Sequence, residues 1–153
     1  MINIKFDLKN LKWGDLVSPT MKPDDYLKEY REKVDLNYKT YEPKLDILEK
    51  ISKLLNEKKE TLRIVALGAD WCPDCTRNVP RMIKIMKLVK NKDGNFKILY
   101  SPPKAVKTHF NLKRLPTFYF FNESGDLLGI IVENPKNSST LEEDLLEILE
   151  DKL

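Results

Sequence analysis

Between Leu62 and Tyr100 the apolar pattern changes period twice, and this narrows the folds open to the chain more than any other feature. Leu62-Arg63-Ile64-Val65-Ala66-Leu67-Gly68 is a short, mostly apolar run, which reads as a buried strand. A helical pattern follows from Pro73, with Val79, Met82, Ile83, Met86 and Val89 on one face, and Lys92-Asp93-Gly94 is expected to stop it. Phe96-Lys97-Ile98-Leu99-Tyr100 reads as a second strand. Strand, helix and strand over this span make a βαβ unit, so the two strands should be parallel with a right-handed crossover.

The flanks extend this pattern. Residues 1–22 are mixed in character, with turn signals at Trp13-Gly14-Asp15 and Ser18-Pro19. One helix is expected from Pro23, carrying Tyr26, Leu27, Tyr30, Val34 and Tyr38 on one side. A second should begin near Pro43 at its first position, with Ile47, Leu48, Ile51, Leu54 and Leu55 inward. Beyond the βαβ unit come a short helix at Ala105–Phe110, a strand at Phe118-Tyr119-Phe120-Phe121, and a turn at Asn122-Glu123-Ser124-Gly125. Leu127–Val132 then returns as the hairpin partner. Ser139-x-x-Glu142 reads as a capping box opening a last helix with Leu141, Leu145, Ile148 and Leu149 inward. This order predicts an α/β fold with three α/β/α layers around a mixed four- or five-stranded sheet.

At 153 residues the chain fits one domain, enough to bury roughly 70 % of its unfolded surface. The net charge of +3 is spread as intermixed lysine and glutamate, which argues for a solvated surface rather than a phosphate-binding stripe. Nucleic acid is therefore not an expected partner. No apolar run is long enough for a membrane span, and Met1–Asp7 lacks the basic start and apolar core of a signal peptide. A cytoplasmic, membrane-free, monomeric protein is expected.

There are two cysteines, three positions apart. A secreted disulfide scaffold would carry more, at wider spacing. Zinc would need four ligands, with only His109 left as a further soft donor, and an iron–sulfur cluster would need four thiolates. No metal and no bound cofactor is expected. The topology instead puts Cys72 at a helix N-terminus, with Pro73 at the first helical position. Unpaired N–H groups and the helix dipole there favour a thiolate. Cys75, one turn on, lies within reach of a disulfide. The positions make Cys72 the nucleophile and Cys75 the resolving thiol. Lowering a thiol pKa from about 8.5 to about 7 raises the thiolate fraction at pH 7 roughly 16-fold, while nucleophilicity falls roughly 5-fold. The net gain is about 3-fold, so a neighbouring second thiol at high effective concentration must supply most of the benefit.

Ala69-Asp70-Trp71-Cys72-Pro73-Asp74-Cys75 resembles the active-site segment of thioredoxins, which carry Trp-Cys-Gly-Pro-Cys. Pro80, five residues after the second cysteine, matches the proline that kinks the thioredoxin active-site helix. Leu115-Pro116-Thr117, before an aromatic strand, resembles the family's cis-proline segment. The resemblance covers about residues 43–153 as a thioredoxin-like domain, and leaves residues 1–42 as a mostly helical N-terminal extension packed on it. It implies a thiol–disulfide oxidoreductase, a protein disulfide reductase, in which the Cys72–Cys75 disulfide is the only redox group. Its partners would be protein disulfides and a reducing partner such as a thioredoxin-reductase-like enzyme. The resemblance gives Pro116 a cis peptide and Leu115 a substrate-backbone role, with Trp71 as an exposed platform and Pro73 and Asp74 as supporting residues. A redox-sensing adaptor or chaperone-like binding module on the same fold is the alternative.

Three departures stand out. Thioredoxins keep a buried Asp six residues before the first cysteine to handle the proton of the resolving thiol; Ala66 stands there. Asp74, or water, would have to take over, and its charge should oppose thiolate formation at Cys72. Glu133-Asn134-Pro135 replaces the family's Gly-containing loop, so Glu133 and Asn134 are expected to shape partner docking.

Overall fold

The computed structural model describes residues 10–16, 18–91, 94–136 and 139–153. The first nine residues of the expected extension, and Lys92-Asp93 of the expected helix stop, lie outside the described residues. Four strands, β1 (Arg63–Gly68), β2 (Asn95–Tyr100), β3 (Thr117–Phe121) and β4 (Leu127–Val132), form one sheet in the order β2-β1-β3-β4. β1 and β2 are parallel in the register Arg63↔Asn95 to Gly68↔Tyr100, while β3 runs antiparallel to both β1 and β4. Among the described residues six α-helices surround it: α1 (Pro23–Glu29), α2 (Arg31–Thr40), α3 (Leu45–Lys58), α4 (Pro73–Leu88), α5 (Lys104–His109) and α6 (Leu141–Lys152).

After Arg63, β1 carries no polar side chain because both its faces are buried. Ile64 and Ala66 face a core built with Leu48, Ile51 and Leu55 of α3, Val79, Met82 and Ile83 of α4, and Leu141, Leu145 and Leu149 of α6. Val65 and Leu67 face a smaller core with Val106 and Phe110, roofed by Leu11, Trp13 and Leu16. Trp13 lies in a short 3-10 turn, packs edge-on to Phe121 at 5.8 Å between centroids, and donates its backbone N–H to Gly125 at 2.9 Å. The segment then passes the outer edge of β2, where Met21 and Ile98 exchange backbone hydrogen bonds of 2.8 and 3.0 Å. That contact covers part of an otherwise open strand edge. The early segment thus roofs one face, and α1 and α2 join the core of the other.

The structure corrects several expected boundaries. The helix from Pro23 is two helices, broken at Tyr30 (φ −106°, ψ 23°), so that Tyr26 and Val34 are both buried. Pro43 is not a first helical residue: α3 starts at Leu45, because the backbone N–H of Lys44 donates to Glu142 Oε2 at 2.7 Å. The capping box is shifted by one. Thr140 caps α6 with Glu143, and the box cannot use Glu142 because that side chain turns fully inward to Lys44 and the Tyr41 hydroxyl. α4 ends at Leu88, earlier than the glycine signal suggests, where buried Val89 takes an extended conformation. Asn91 then holds both backbone groups of Leu62, each at 2.8 Å.

Pro80 sits inside α4 and has no N–H to offer the carbonyl of Thr76, one turn back. Asn37 of α2 donates to that carbonyl at 3.2 Å. Asn37→Leu should therefore cost about 1 kcal/mol in urea unfolding, the usual worth of such a bond, and an unchanged midpoint would deny Asn37 this role. Glu142→Ala should cost more, about 1–3 kcal/mol, because the Lys44 N–H and Tyr41 hydroxyl are left without their acceptor.

Candidate active site

β1 ends at Gly68, where a side chain does not fit. A Cβ on Gly68 would stand 3.0 Å from Cys75 Sγ and 2.9 Å from Tyr100 Cε1. The chain turns through Ala69-Asp70-Trp71 and enters α4 with Cys72 as its N-cap (φ −93°, ψ 115°) and Pro73 at N1. The Cys72 sulfur takes the place a serine oxygen often fills, accepting the N–H of Cys75 at 3.3 Å. The Cys72 thiol also lies 3.7 Å from the carbonyl oxygen of Leu115, and the Leu115–Pro116 peptide is cis.

Both cysteines are free thiols, but their surroundings differ. Cys72 keeps 7 % of its surface and Cys75 none. Burial, and the Cys72 sulfur beside it, push the Cys75 thiol well above the ordinary range. Cys75 is therefore a proton-bearing thiol at neutral pH. Trp71 stands out from the surface at 73 % exposure, beside the one cysteine that solvent can reach.

The remaining expected residues are joined to the first turns of α4 and to the Pro116 segment. Asp74 is bound by Arg77, one turn along α4. Arg77 continues to Asn134 Oδ1 at 3.0 Å, and Asn78 donates to the same oxygen and to the Glu133 carbonyl, both at 2.9 Å. Glu133 has a left-handed backbone (φ 67°), an uncommon state for a residue with a side chain. It is held there from three sides: its N–H donates to the Pro116 carbonyl at 2.6 Å, its own carbonyl takes Asn78, and its carboxylate meets Arg114 at 3.3 Å. The loop after β4, the Pro116 segment and the first turns of α4 are thus joined by one polar network.

The sequence reading passed over Arg77, Asn78 and Arg114. Two of them left a trace: Arg77 follows Asp74 at i+3, and Asn78 interrupts the apolar face of α4 three residues after Cys75. The N-terminal helices also reach the site. Lys33 donates to the Asp70 carbonyl at 3.3 Å and pairs with its carboxylate at 3.7 Å. Nothing in the sequence pattern announced those contacts. Ala66 is fully buried, and His109 sits on the surface against Asp15, away from the cysteines. Among the described residues there is no cluster of three or more His, Cys, Asp or Glu suited to a metal ion, and no helix is long and apolar enough to cross a membrane.

Comparison with known proteins places the fold in context. A family model described as Thioredoxin matches residues 20–146. No curated protein matches the chain. Among solved structures, an HIV epitope-scaffold superposes with a TM-score of 0.70 at 16 % identity, over 93 % of this chain and 99 % of its own. A protein of unknown function from Pseudomonas aeruginosa covers 100 % of both chains, with a TM-score of 0.56 and 18 % identity. A thioredoxin from Fasciola hepatica matches 67 % of this chain and 91 % of its own, with a TM-score of 0.42 and 22 % identity. The family match begins at Thr20, so it takes in α1 and α2 as well as the sheet. The chain belongs to the thioredoxin family.

Proposed function

We propose that the protein is a thiol–disulfide oxidoreductase that reduces disulfides of other proteins through Cys72 and Cys75, without a bound cofactor, in the cytoplasm. The observation that carries this reading is the unequal pair at the start of α4. One sulfur caps the helix and touches the surface, and the other is buried one turn below it.

The Cys72 thiolate attacks one sulfur of a substrate disulfide, which breaks, and the other substrate sulfur leaves as a thiolate and takes up a proton. Cys72 is now in a mixed disulfide. Cys75 gives up its proton and attacks Cys72 Sγ, forming the Cys72–Cys75 disulfide and releasing the second substrate thiolate. A dithiol partner of the thioredoxin-reductase type would return the pair to the reduced state. Trp71 would supply an apolar contact for the substrate chain, and the backbone of Leu115 beside Cys72 would align it. Glu133 and Asn134 are engaged with Arg114, Arg77 and Asn78, so they would act on docking chiefly through the shape and charge of a stiffened loop.

A Cys75→Ser variant should accumulate mixed disulfides through Cys72, and Cys72→Ser should trap none and abolish insulin reduction with a dithiol donor. The reverse pattern would exchange the two roles. Negligible turnover by the wild type together with tight partner binding would favour an adaptor on the same fold.

The buried thiol also predicts a pH dependence. The folded-state pKa of Cys75 is raised, so its contribution is fully present below the unfolded value of about 8.5. Above that pH the unfolded chain binds fewer protons than the folded one, and stability falls by up to about 1.4 kcal/mol per pH unit. The oxidised protein has no such thiol. Urea unfolding at about pH 7 and about pH 9.5 should show the reduced form losing more stability than the oxidised form over that interval. Equal losses would mean that Cys75 is not held as a buried thiol.

A further inference from the structure

The resolving step needs Cys75 to become a thiolate in a fully buried place. The titratable groups around it can be taken element by element among the described residues. On its own turn are Cys72, which by then is in a mixed disulfide, and Asp74, which is tied to Arg77. The β1 residues on that face are Ile64, Ala66 and Gly68, none of which titrates. β2 contributes Tyr100, at the register position beside Gly68. α1 contributes Tyr26, and the bend after it Tyr30, next to Asp70 and Lys33.

Tyr26 and Tyr100 form a unit. Their hydroxyls are hydrogen-bonded to each other, their rings meet edge to face with centroids 5.1 Å apart, and Tyr26 has no exposed surface. The edge of the Tyr100 ring and the Cys75 sulfur share the notch left by Gly68, both within 3.0 Å of the missing Cβ. Each hydroxyl carries one proton, and the mutual bond uses one of the two. The second has no acceptor among the described residues. Tyr26 is fully buried and Tyr100 partly so, and hydroxyl protons kept from solvent are rarely left without an acceptor. A sulfur acquiring negative charge beside the edge of the Tyr100 ring is a strong acceptor.

We propose that the Tyr26–Tyr100 hydroxyl pair is the hydrogen-bond donor that stabilises the Cys75 thiolate in the resolving step, a role for which α1 and β2 each supply one residue. The inference rests on the thiol–disulfide reading above and assigns part of the N-terminal helices to that chemistry. The Cys75 proton passes to solvent and the released substrate thiolate takes one up, so the pair remains neutral and changes only its hydrogen bonding. Burial keeps both phenols protonated far into the alkaline range, and each is coupled to the charge of Cys75. They are therefore donors throughout the working pH range, never bases.

The test uses reduced full-length protein mixed with an equimolar dithiobis-nitrobenzoate disulfide in stopped flow. The first nitrothiobenzoate release reports attack by Cys72, and the second reports attack by Cys75 on the mixed disulfide. In Tyr100→Phe the first phase should be unchanged. The second should slow about tenfold or more at pH 7 and recover as the pH is raised, because the lost donor shifts Cys75 ionisation upward. The double variant Tyr26→Phe/Tyr100→Phe replaces both partners by apolar groups of the same shape, which is close to neutral for stability, and should give the same displaced profile. A second phase that keeps the wild-type rate and pH profile in both variants overturns the inference. So does a slowing that is uniform at every pH, the signature of a purely structural role. Absence of the first phase in the wild type would instead overturn the thiol–disulfide reading itself, and this inference with it.

Discussion

The close approach of β1 to the first turn of α4 is the constraint on which the site depends. At Gly68 the strand backbone comes so near to Cys75 and Tyr100 that no side chain can be placed there. This lets α4 sit low over the sheet, with its N-terminus at the carboxyl end of β1. Cys72 then reaches the surface as the cap while Cys75 is driven into the core. One packing requirement thereby gives two chemically identical residues different surroundings.

The N-terminal helices are part of the site as well as of the fold. Asn37 meets the Thr76 carbonyl that Pro80 leaves free, Lys33 holds Asp70 beside Trp71, and Tyr26 reaches Tyr100, whose ring edge shares the Gly68 notch with Cys75. A kinked helix carries an unpaired carbonyl that needs a donor. Here the donor comes from α2, distant in the chain from the helix it serves. Another polar set fixes the loop after β4, in which Arg77 and Asn78 tie Glu133 and Asn134 to α4. Asp74, expected to take over the proton of the resolving thiol, belongs to that set through Arg77.

The elements of the fold were legible wherever burial imposes a period. β1, β2, β4 and α4 lie close to the positions their apolar residues indicate, since a strand buried on both faces and a helix buried on one leave distinct signatures. Ends were less legible, because polar partners set them. Glu142 delays the start of α3 and moves the cap of α6 by one residue, and the Tyr30 bend divides one predicted helix into two. Adjacent Ser139 and Thr140 could each begin a capping box. Only the inward turn of Glu142 decides between them.

By itself the sequence determined the order of the elements, the βαβ unit and the placement of two cysteines at a helix start, because these follow from local periodicity and from the backbone limits of proline. Only the tertiary structure decided how the cysteines differ, what compensates Pro80, and which side chain shares the Gly68 notch with Cys75. Those depend on contacts between residues distant in the chain: Tyr26 with Tyr100, Asn37 with Thr76, and Asn78 with Glu133. Hydrogen bonds of that kind leave no periodic trace in a sequence, since each is fixed by the meeting of two elements and not by the pattern within either.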